Sequence, residues 1–186
     1  IGGMGVLVFI LCLLALTGGY HMNLMKAESP GPSVSKLVPK VQSTAKILYT
    51  IYIILTIVEI IFLLIGKMPL FDTLCLSFGT AGTGGFGIKN DSIASYSTYN
   101  QVVITVFMIL FGINFNAYYL LLTKKVMQAA KNEEVRYYLG IIGLAIVAIA
   151  INTREMFTSF GRAFQQAAFQ VGSIITTTGY ATTDFN

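Results

Sequence analysis

The sequence predicts an all-α polytopic membrane protein built from repeated units, each with a helix, a half-length helix, a Gly/Thr-rich loop and a closing helix. Three observations support this: an apolar composition, four long apolar stretches, and two copies of one loop motif. Of the 186 residues, 55% are hydrophobic and only 11% are charged, whereas soluble domains carry about 25% charged residues. This composition argues against a disordered chain, a nucleic-acid binder and an ordinary cytosolic enzyme.

The four apolar stretches cover residues 6–16, 47–65, 102–122 and 137–151. A membrane-spanning helix needs about 20 mostly apolar residues. The second and third stretches are long enough as they stand, and the fourth is long enough if Val135 and Asn152 are its ends. The first lacks the basic segment and the cleavage site of a signal peptide. We therefore expect it to be the end of a helix that begins earlier in a longer polypeptide.

Basic residues are concentrated in two connections between these stretches. Eight of the twelve lysines and arginines lie within residues 17–46 and 123–136. Because Lys and Arg accumulate in cytoplasmic loops of membrane proteins, we expect the linker 18–46 and the loop 124–136 to be cytoplasmic. The other two connections, 66–101 and 152–186, should then lie on the outer side.

Both outer connections begin with an apolar stretch that is too short to span a membrane, residues 71–80 in the first and 163–174 in the second. Each then runs into small and hydroxylated residues. We call residues 80–87 the first Gly/Thr loop and residues 174–181 the second. A single segment of this kind could be an ordinary outer turn. Two copies, each after a half-length helix, indicate a defined structural element instead.

The two loops align without gaps at an offset of 94 residues, which pairs Thr83 with Thr177, Gly85 with Gly179, and Phe86 with Tyr180. This internal repeat sets the predicted organisation of the chain. Residues 47–123 form a complete unit, and residues 137–186 supply the helix and loop of the next. Residues 1–17 correspond to the closing helix of an earlier unit.

The loops fit ion coordination by backbone carbonyls. Irregular backbone at membrane depth is tolerated only where it lines a cavity or is buried in protein. Glycine adopts positive φ, which lets successive carbonyls point the same way, and carbonyl rings replace the hydration shell of potassium in Thr-Val-Gly-Tyr-Gly filters. The half-helix C-termini would add negative partial charge. The candidate ion-binding residues are Thr83, Gly84, Gly85, Phe86, Thr177, Thr178, Gly179 and Tyr180.

The glycine content differs between the loops. Gly85 is flanked by Gly84 and Gly87, whereas Gly179 is the only glycine in its loop. A side chain in the left-handed region costs about 1–2 kcal/mol. We therefore expect Gly179→Ser to reduce potassium-over-sodium discrimination more than Gly85→Ser.

Two polar residues inside apolar stretches are secondary candidates. Glu59 interrupts the second stretch, and ionisable residues in membrane helices are often functional, although a hydrogen bond to a neighbour is the plainer interpretation. For Asn114 the alternative is a structural hydrogen bond to another helix. Cys12 and Cys75 lie in apolar runs and indicate neither a disulfide nor a metal site.

Residues 71–86 and 169–182 resemble pore loops of the Trk/Ktr/HKT superfamily of potassium transporters, and residues 27–32 resemble the linker of its TrkH branch. The resemblance implies four units around one pore, potassium as the transported ion, and no organic cofactor. It also implies a multi-pass protein of the cell (inner) membrane, a homodimer, and cytoplasmic nucleotide-binding regulatory subunits. The gate of this family would follow Asn186.

Three alternatives remain: a pore of the same superfamily that also passes sodium, an intramembrane enzyme, and a scaffold with re-entrant loops. An enzyme needs a nucleophile with its base, or a metal cluster. One histidine and two separated cysteines provide neither, so we expect no enzymatic activity.

Overall fold

The computed structural model describes residues 34–122, 132–157 and 159–182, and this part of the chain is helical without any strand. The predicted all-α class is confirmed. The helices are α1 (Val34–Ile65), α2 (Leu70–Ala81), α3 (Thr98–Gly112), α4 (Phe115–Leu122), α5 (Glu133–Asn152) and α6 (Phe160–Ile175), with a 3₁₀ turn at Arg154–Met156. The predicted closing helix 1–17, residues 18–33 of the linker and residues 124–131 lie outside the described residues.

Helix α1 is longer than its apolar stretch. It begins at Val34 rather than at residue 47, so the linker predicted over 18–46 is helical in its second part. Its end at Ile65 agrees with the sequence. There Lys67 takes a left-handed φ of 58°, and the Met68 N–H donates to the Leu63 carbonyl at 3.3 Å. This hydrogen bond is the mark of a Schellman ending, which turns the chain directly into α2.

The two predicted half-helices are present as α2 and α6. They contain 12 and 16 residues, which gives lengths of about 18 Å and about 24 Å at 1.5 Å per residue. Neither reaches the roughly 30 Å of a bilayer's hydrocarbon core. The sequence placed both correctly to within three residues at their ends.

The third apolar stretch, predicted as one helix over 102–122, is broken. Helix α3 ends at Gly112, Ile113 is extended with ψ 139°, and α4 starts at Phe115. A Cβ at Gly112 would lie 2.1 Å from the Tyr138 hydroxyl oxygen and 2.8 Å from Cγ2 of Thr176. The break therefore lies where α5 and the second Gly/Thr loop approach the backbone most closely.

Two tyrosines bond the carbonyls next to this break. The Tyr118 hydroxyl donates to the Leu110 carbonyl at 2.8 Å, and the Tyr138 hydroxyl donates to the Ile109 carbonyl at 3.2 Å. Side chains of this kind satisfy backbone groups that an interrupted membrane helix leaves open. The apolar pattern alone could not show these hydrogen bonds, because the donors lie on other helices, α4 and α5.

Helix α5 matches the fourth apolar stretch, with Asn132 as its N-cap. It packs on α6 through a second core of small and aliphatic side chains. The first and larger core joins α1, α2 and α3, and it includes two residues of the second unit, Phe169 and Tyr180. The second core contains Ile142, Ile146, Ala150, Ala167 and Val171. The first core is therefore shared by the two repeat units.

Candidate ion-binding loops

The sequence repeat extends to the backbone. Helices α2 and α6 end at matching residues, Ala81 and Ile175, and the same three hydrogen bonds follow each. In the first loop the N–H groups of Gly82, Thr83 and Gly84 donate to the carbonyls of Phe78, Thr80 and Gly79; in the second those of Thr176, Thr177 and Thr178 donate to Gly172, Ile174 and Ser173. All six donor–acceptor distances lie between 2.8 and 3.2 Å.

Left-handed residues occur at matching positions in the two loops. Thr83 and Thr177 have φ values of 50° and 57°, and Gly85 and Gly179 have φ values of 65° and 84°. A positive φ is uncommon for a β-branched residue and costs on the order of 1–3 kcal/mol, a strain that clusters at functional sites. In each loop, the two left-handed residues are separated by one residue, and they turn the peptide groups between them. The same pattern occurs in both loops.

The structure brings the two loops into contact. A Cβ built on Gly85 would lie 1.9 Å from the Thr178 carbonyl oxygen and 3.3 Å from the Gly179 carbonyl carbon. Both obstacles are backbone atoms, so Gly85 is required by close approach as well as by φ. A Cβ on Gly179 would meet no atom within 4 Å among the described residues. This geometry opposes the expectation from glycine spacing that Gly179 is the more sensitive position.

The paired aromatic residues lie in different surroundings. Tyr180 is 1% exposed, and its hydroxyl donates to the Leu76 carbonyl of α2 at 3.2 Å. The ring fits because α2 has glycine at position 79, where a Cβ would lie 2.1 Å from the tyrosine oxygen. Phe86 is 82% exposed in the described part of the chain. Tyr180 thus fastens the second loop to the half-helix of the first unit.

Hydroxyl groups brace the second loop from behind. The Ser173 hydroxyl donates to the Tyr180 carbonyl at 2.6 Å, and the Thr176 hydroxyl donates to the Gly172 carbonyl at 2.6 Å. The Thr177 hydroxyl donates to the carbonyl of Thr176 at 2.7 Å. The Tyr180 carbonyl, one of the predicted ion ligands, therefore already accepts a hydrogen bond from the protein.

Two glutamines that sequence reasoning missed hold the outer connection in place. The Gln101 side-chain amide donates to the carbonyls of Ile93, Ala94 and Tyr96, each at 3.2 Å. Its oxygen accepts from the Gln165 amide of α6 at 3.1 Å. The signal available in the sequence was a glutamine at the edge of an apolar stretch. Its hydrogen-bond acceptors lie on segments whose position only the fold shows.

The outer connection also bonds the second loop directly. The Ile93 N–H donates to the Ala181 carbonyl at 3.0 Å, and the Ser92 hydroxyl accepts from the Ala181 N–H at 3.2 Å. Nearby, the Tyr96 hydroxyl donates to Asp72 at 2.7 Å. Burial, followed by this hydrogen bond, raises the pKa of Tyr96.

The two secondary candidates lie apart from each other. Asn114 is at the break between α3 and α4, where its amide donates to the Glu134 carboxylate at 2.5 Å, the interhelical bond that was the alternative interpretation. Glu59 is fully buried on α1. Within the described residues, no group of three or more His, Cys, Asp or Glu side chains could hold a metal ion.

Comparison with known proteins gives a consistent match. The model of the TrkH family, described as cation transport protein, matches residues 1–186. Trk system potassium uptake protein TrkH of Escherichia coli K12 is 31% identical over 97% of this chain and 38% of its own length. The TrkH protein of Vibrio parahaemolyticus is 34% identical over 99% of this chain and 39% of its own length.

A solved structure agrees with the fold. The crystal structure of the potassium transporter TrkH from Vibrio parahaemolyticus superposes with a TM-score of 0.72 at 28% identity, covering 98% of this chain and 41% of that one. The chain thus spans about two fifths of the length of the relatives it matches.

Proposed function

This chain belongs to the TrkH family of cation transport proteins, and we propose that it moves potassium ions across a membrane through a passage lined by its two Gly/Thr loops. The observation that supports this most is the contact between two loops with the same alternating left-handed residues. Carbonyls arranged in this way can replace the water around a potassium ion. Potassium is here the transported substrate, and the proposal includes no organic cofactor and no enzymatic step.

Free carbonyls indicate which backbone groups would face the ion. Among the described residues, no hydrogen-bond donor reaches the carbonyls of Thr177, Thr178 or Gly179, whereas those of Tyr180 and Ala181 already accept hydrogen bonds. In the first loop the carbonyls of residues 83–85 are likewise without donors from the described part. We propose these two sets as ion ligands, with Tyr180 anchoring the second loop on α2.

The half-helices α2 and α6 favour a cation at the same place. Each ends at the second residue of its loop, so the negative end of its dipole would lie beside the free carbonyls. A helix C-terminus carries about half a negative charge. Two of them that converge near the free carbonyls would attract a cation without any acidic side chain.

A membrane location follows from the outer surface of the helices. Two segments are long and apolar enough to cross a bilayer, Ile47–Ile65 and Glu133–Asn152. Their exposed side chains are largely aliphatic: Ile53, Ile54, Ile57 and Ile61 on α1, and Ile141, Leu144, Val147 and Ile151 on α5. We propose a multi-pass protein of the cell membrane whose lipid-facing surface includes these residues.

The lysine-rich connections indicate how the protein would be oriented in the membrane. Segments 18–46 and 124–136 would be cytoplasmic, with the Gly/Thr loops entering from the outer side. Residues 47–123 and 137–186 would be two of the units around one pore, preceded by the closing helix at 1–17. Labelling a cysteine placed at Ser33 in intact cells tests the orientation, because reaction with an impermeant reagent from outside would reverse it.

We also propose that the complete protein forms a homodimer and binds nucleotide-binding regulatory subunits at its cytoplasmic face. Cross-linking of the purified protein tests the dimer. Co-purification with and without nucleotide tests the regulatory partner.

The decisive experiment is cation uptake. The polypeptide that contains this chain, expressed in full and reconstituted in vesicles, should take up radioactive rubidium, and potassium should compete better than sodium. Equal competition by sodium would favour the alternative of a pore that passes both ions. Protein-containing vesicles that take up no more rubidium than empty ones would leave a scaffold or an intramembrane enzyme as the remaining alternatives.

A further inference from the structure

Gln101 lies in the first turn of α3, and its side chain is buried with both ends of the amide in use. The amide nitrogen reaches three carbonyls, each at 3.2 Å, those of Ile93, Ala94 and Tyr96. Because the nitrogen has only two N–H bonds, at least one of them is shared between two carbonyls. The amide oxygen accepts from the Gln165 amide nitrogen of α6 at 3.1 Å. One side chain thus joins a loop of the first unit to a helix of the second.

These partners determine which way the amide of Gln101 points. Carbonyl oxygens only accept hydrogen bonds, so the nitrogen has to face residues 93–96 and the oxygen has to face α6. Gln165 must then be the donor in the contact between the two glutamines. A side chain that only accepts hydrogen bonds would therefore not replace either of them.

The carbonyls that Gln101 binds belong to residues 92–96, which we call the bridging segment. This segment is neither helix nor strand, and it also contacts the end of the second Gly/Thr loop. The Ile93 N–H donates to the Ala181 carbonyl at 3.0 Å, and the Ser92 hydroxyl accepts from the Ala181 N–H at 3.2 Å. Both backbone polar groups of Ala181 are therefore bound by a segment of the first unit.

The second loop is consequently held at both of its ends. At one end it continues from α6, which stops at Ile175. At the other end Ala181 is joined back to α6 through the bridging segment, Gln101 and Gln165. The carbonyls of residues 177–179, which have no donor from the described part of the chain, lie between these two ends.

We propose that Gln101 and Gln165 are positioning residues of the ion passage, which together fix the end of the second loop relative to α6. They act through the bridging segment and Ala181, not as ion ligands. The inference rests on the proposed potassium transport, because the carbonyls that it positions are those assigned as ligands. Both the spacing and the number of coordinating carbonyls bear on the choice between potassium and sodium. A loop with a loosened end would let its carbonyls close around the smaller sodium ion.

Three substitutions separate the hydrogen bonds of this linkage from its packing. Gln101→Met keeps the length of the side chain but removes every hydrogen bond. Gln101→Glu keeps the shape but replaces the N–H donors with an oxygen. Gln165→Met removes only the bond to α6, at a partly buried position.

Thr105→Val serves as the matched control. Thr105 is 6% exposed, as Gln101 is, and it lies one turn later on α3. Its hydroxyl donates to the Gln101 carbonyl within the same helix at 2.8 Å. This substitution therefore removes a buried hydrogen bond beside the linkage without breaking the linkage. All variants are compared in the polypeptide expressed in full, at matched expression.

Rubidium uptake with sodium as competitor measures the discrimination between ions. Gln101→Met and Gln101→Glu should each lose about tenfold, or about 1.4 kcal/mol, Gln165→Met about threefold, and Thr105→Val less than about twofold. The loss should be smaller at Gln165 because Gln101 still holds the bridging segment. Lower uptake with unchanged discrimination in Gln101→Met would overturn the proposal, since the glutamine would then only stabilise the fold. A loss in Thr105→Val as large as in Gln101→Met would do the same.

A double variant tests whether the two glutamines act through one linkage. Once Gln101→Met has removed the acceptor, the bond from Gln165 no longer exists. Gln101→Met combined with Gln165→Met should therefore lose no more discrimination than Gln101→Met alone, whereas independent residues would add. Additive losses would contradict a shared linkage.

A second measurement does not depend on transport. Amide hydrogen exchange of the purified protein reports the opening of backbone hydrogen bonds such as those of Ile93 and Ala181. Gln165→Met should speed exchange by about threefold in peptides that cover residues 92–96 and 180–182, although Gln165 donates to Gln101 and not to either segment. Thr105→Val should leave both peptides unchanged.

The two measurements separate this inference from the proposed function. Unchanged exchange in Gln165→Met would overturn the linkage, whatever the uptake shows. Absence of rubidium uptake in the wild type would instead count against potassium transport, and the exchange result would still decide whether the glutamines hold the end of the second loop.

Discussion

The first Gly/Thr loop contains three glycines between residues 84 and 87, whereas the second contains only Gly179 over the matching positions. Both loops nevertheless share three backbone hydrogen bonds and have left-handed residues at matching positions. The second loop compensates with hydroxyls, because Ser173, Thr176 and Thr177 each donate to a carbonyl at 2.6–2.7 Å. One backbone is thus stabilised in two ways, by small residues in one unit and by side-chain hydrogen bonds in the other.

The two loops differ in their surroundings as much as in their composition. The second loop is anchored on α2 through Tyr180 and on residues 92–93 through Ala181. The first loop has its aromatic residue, Phe86, exposed in the described part of the chain, and its tightest contact is Gly85 against Thr178. The comparison shows that the number of glycines in a loop does not measure how well the loop tolerates a substitution. The position of the neighbouring backbone decides that tolerance.

The largest effect is expected at Gly85. Gly85→Ser should reduce rubidium uptake more than tenfold, or about 1.4 kcal/mol, because its Cβ would lie 1.9 Å from the backbone carbonyl oxygen of Thr178. Gly179→Ser should cost less, since only the left-handed φ opposes it. Uptake at matched expression compares the two. A greater loss at Gly179 would restore the glycine-spacing argument and mean that further parts of the protein crowd Gly179.

The second prediction concerns the Tyr180 anchor. Tyr180→Ala should lower the free energy of unfolding by about 3–5 kcal/mol, as expected for a buried aromatic side chain, and Tyr180→Phe by about 1 kcal/mol for its single hydrogen bond. Thermal unfolding of the purified protein measures both.

A double mutant sharpens this test. Gly79→Ala should be destabilising alone, because its Cβ meets the tyrosine oxygen, and close to neutral in the Tyr180→Ala background. Contacting residues couple in such cycles, while distant ones add. Additive effects would contradict the packing of Tyr180 into the space left by Gly79.

The smallest effect is expected from one hydroxyl brace. Ser173→Ala removes the donor to the Tyr180 carbonyl and should cost about 1 kcal/mol. Ser159→Ala is the control, since Ser159 precedes the same helix, is exposed and makes no capping hydrogen bond. Thermal unfolding of the two variants should differ. Equal midpoints would show that the second loop does not depend on its hydroxyls.

The sequence reached most of the helical fold and the outline of the site. Apolar length predicted α5 and the apolar part of α1, and the 94-residue repeat placed both half-helices and both loops. The sequence pattern could predict these elements because helices and tight turns depend on residues that are close together in the chain. The prediction failed at the third stretch, which breaks after Gly112, where Tyr138 and Thr176 from distant parts of the sequence lie against the backbone.

By itself, the sequence determined the all-helical class, the apolar surface and the pairing of Thr83 with Thr177 and of Gly85 with Gly179, because these are properties of local pattern and composition. Only the tertiary structure decided which glycine is crowded and which aromatic ring is buried. It also showed that Glu59, on an apolar helix, is completely buried. Each of these depends on how closely segments far apart in the chain approach one another, and close packing leaves no room for one added atom.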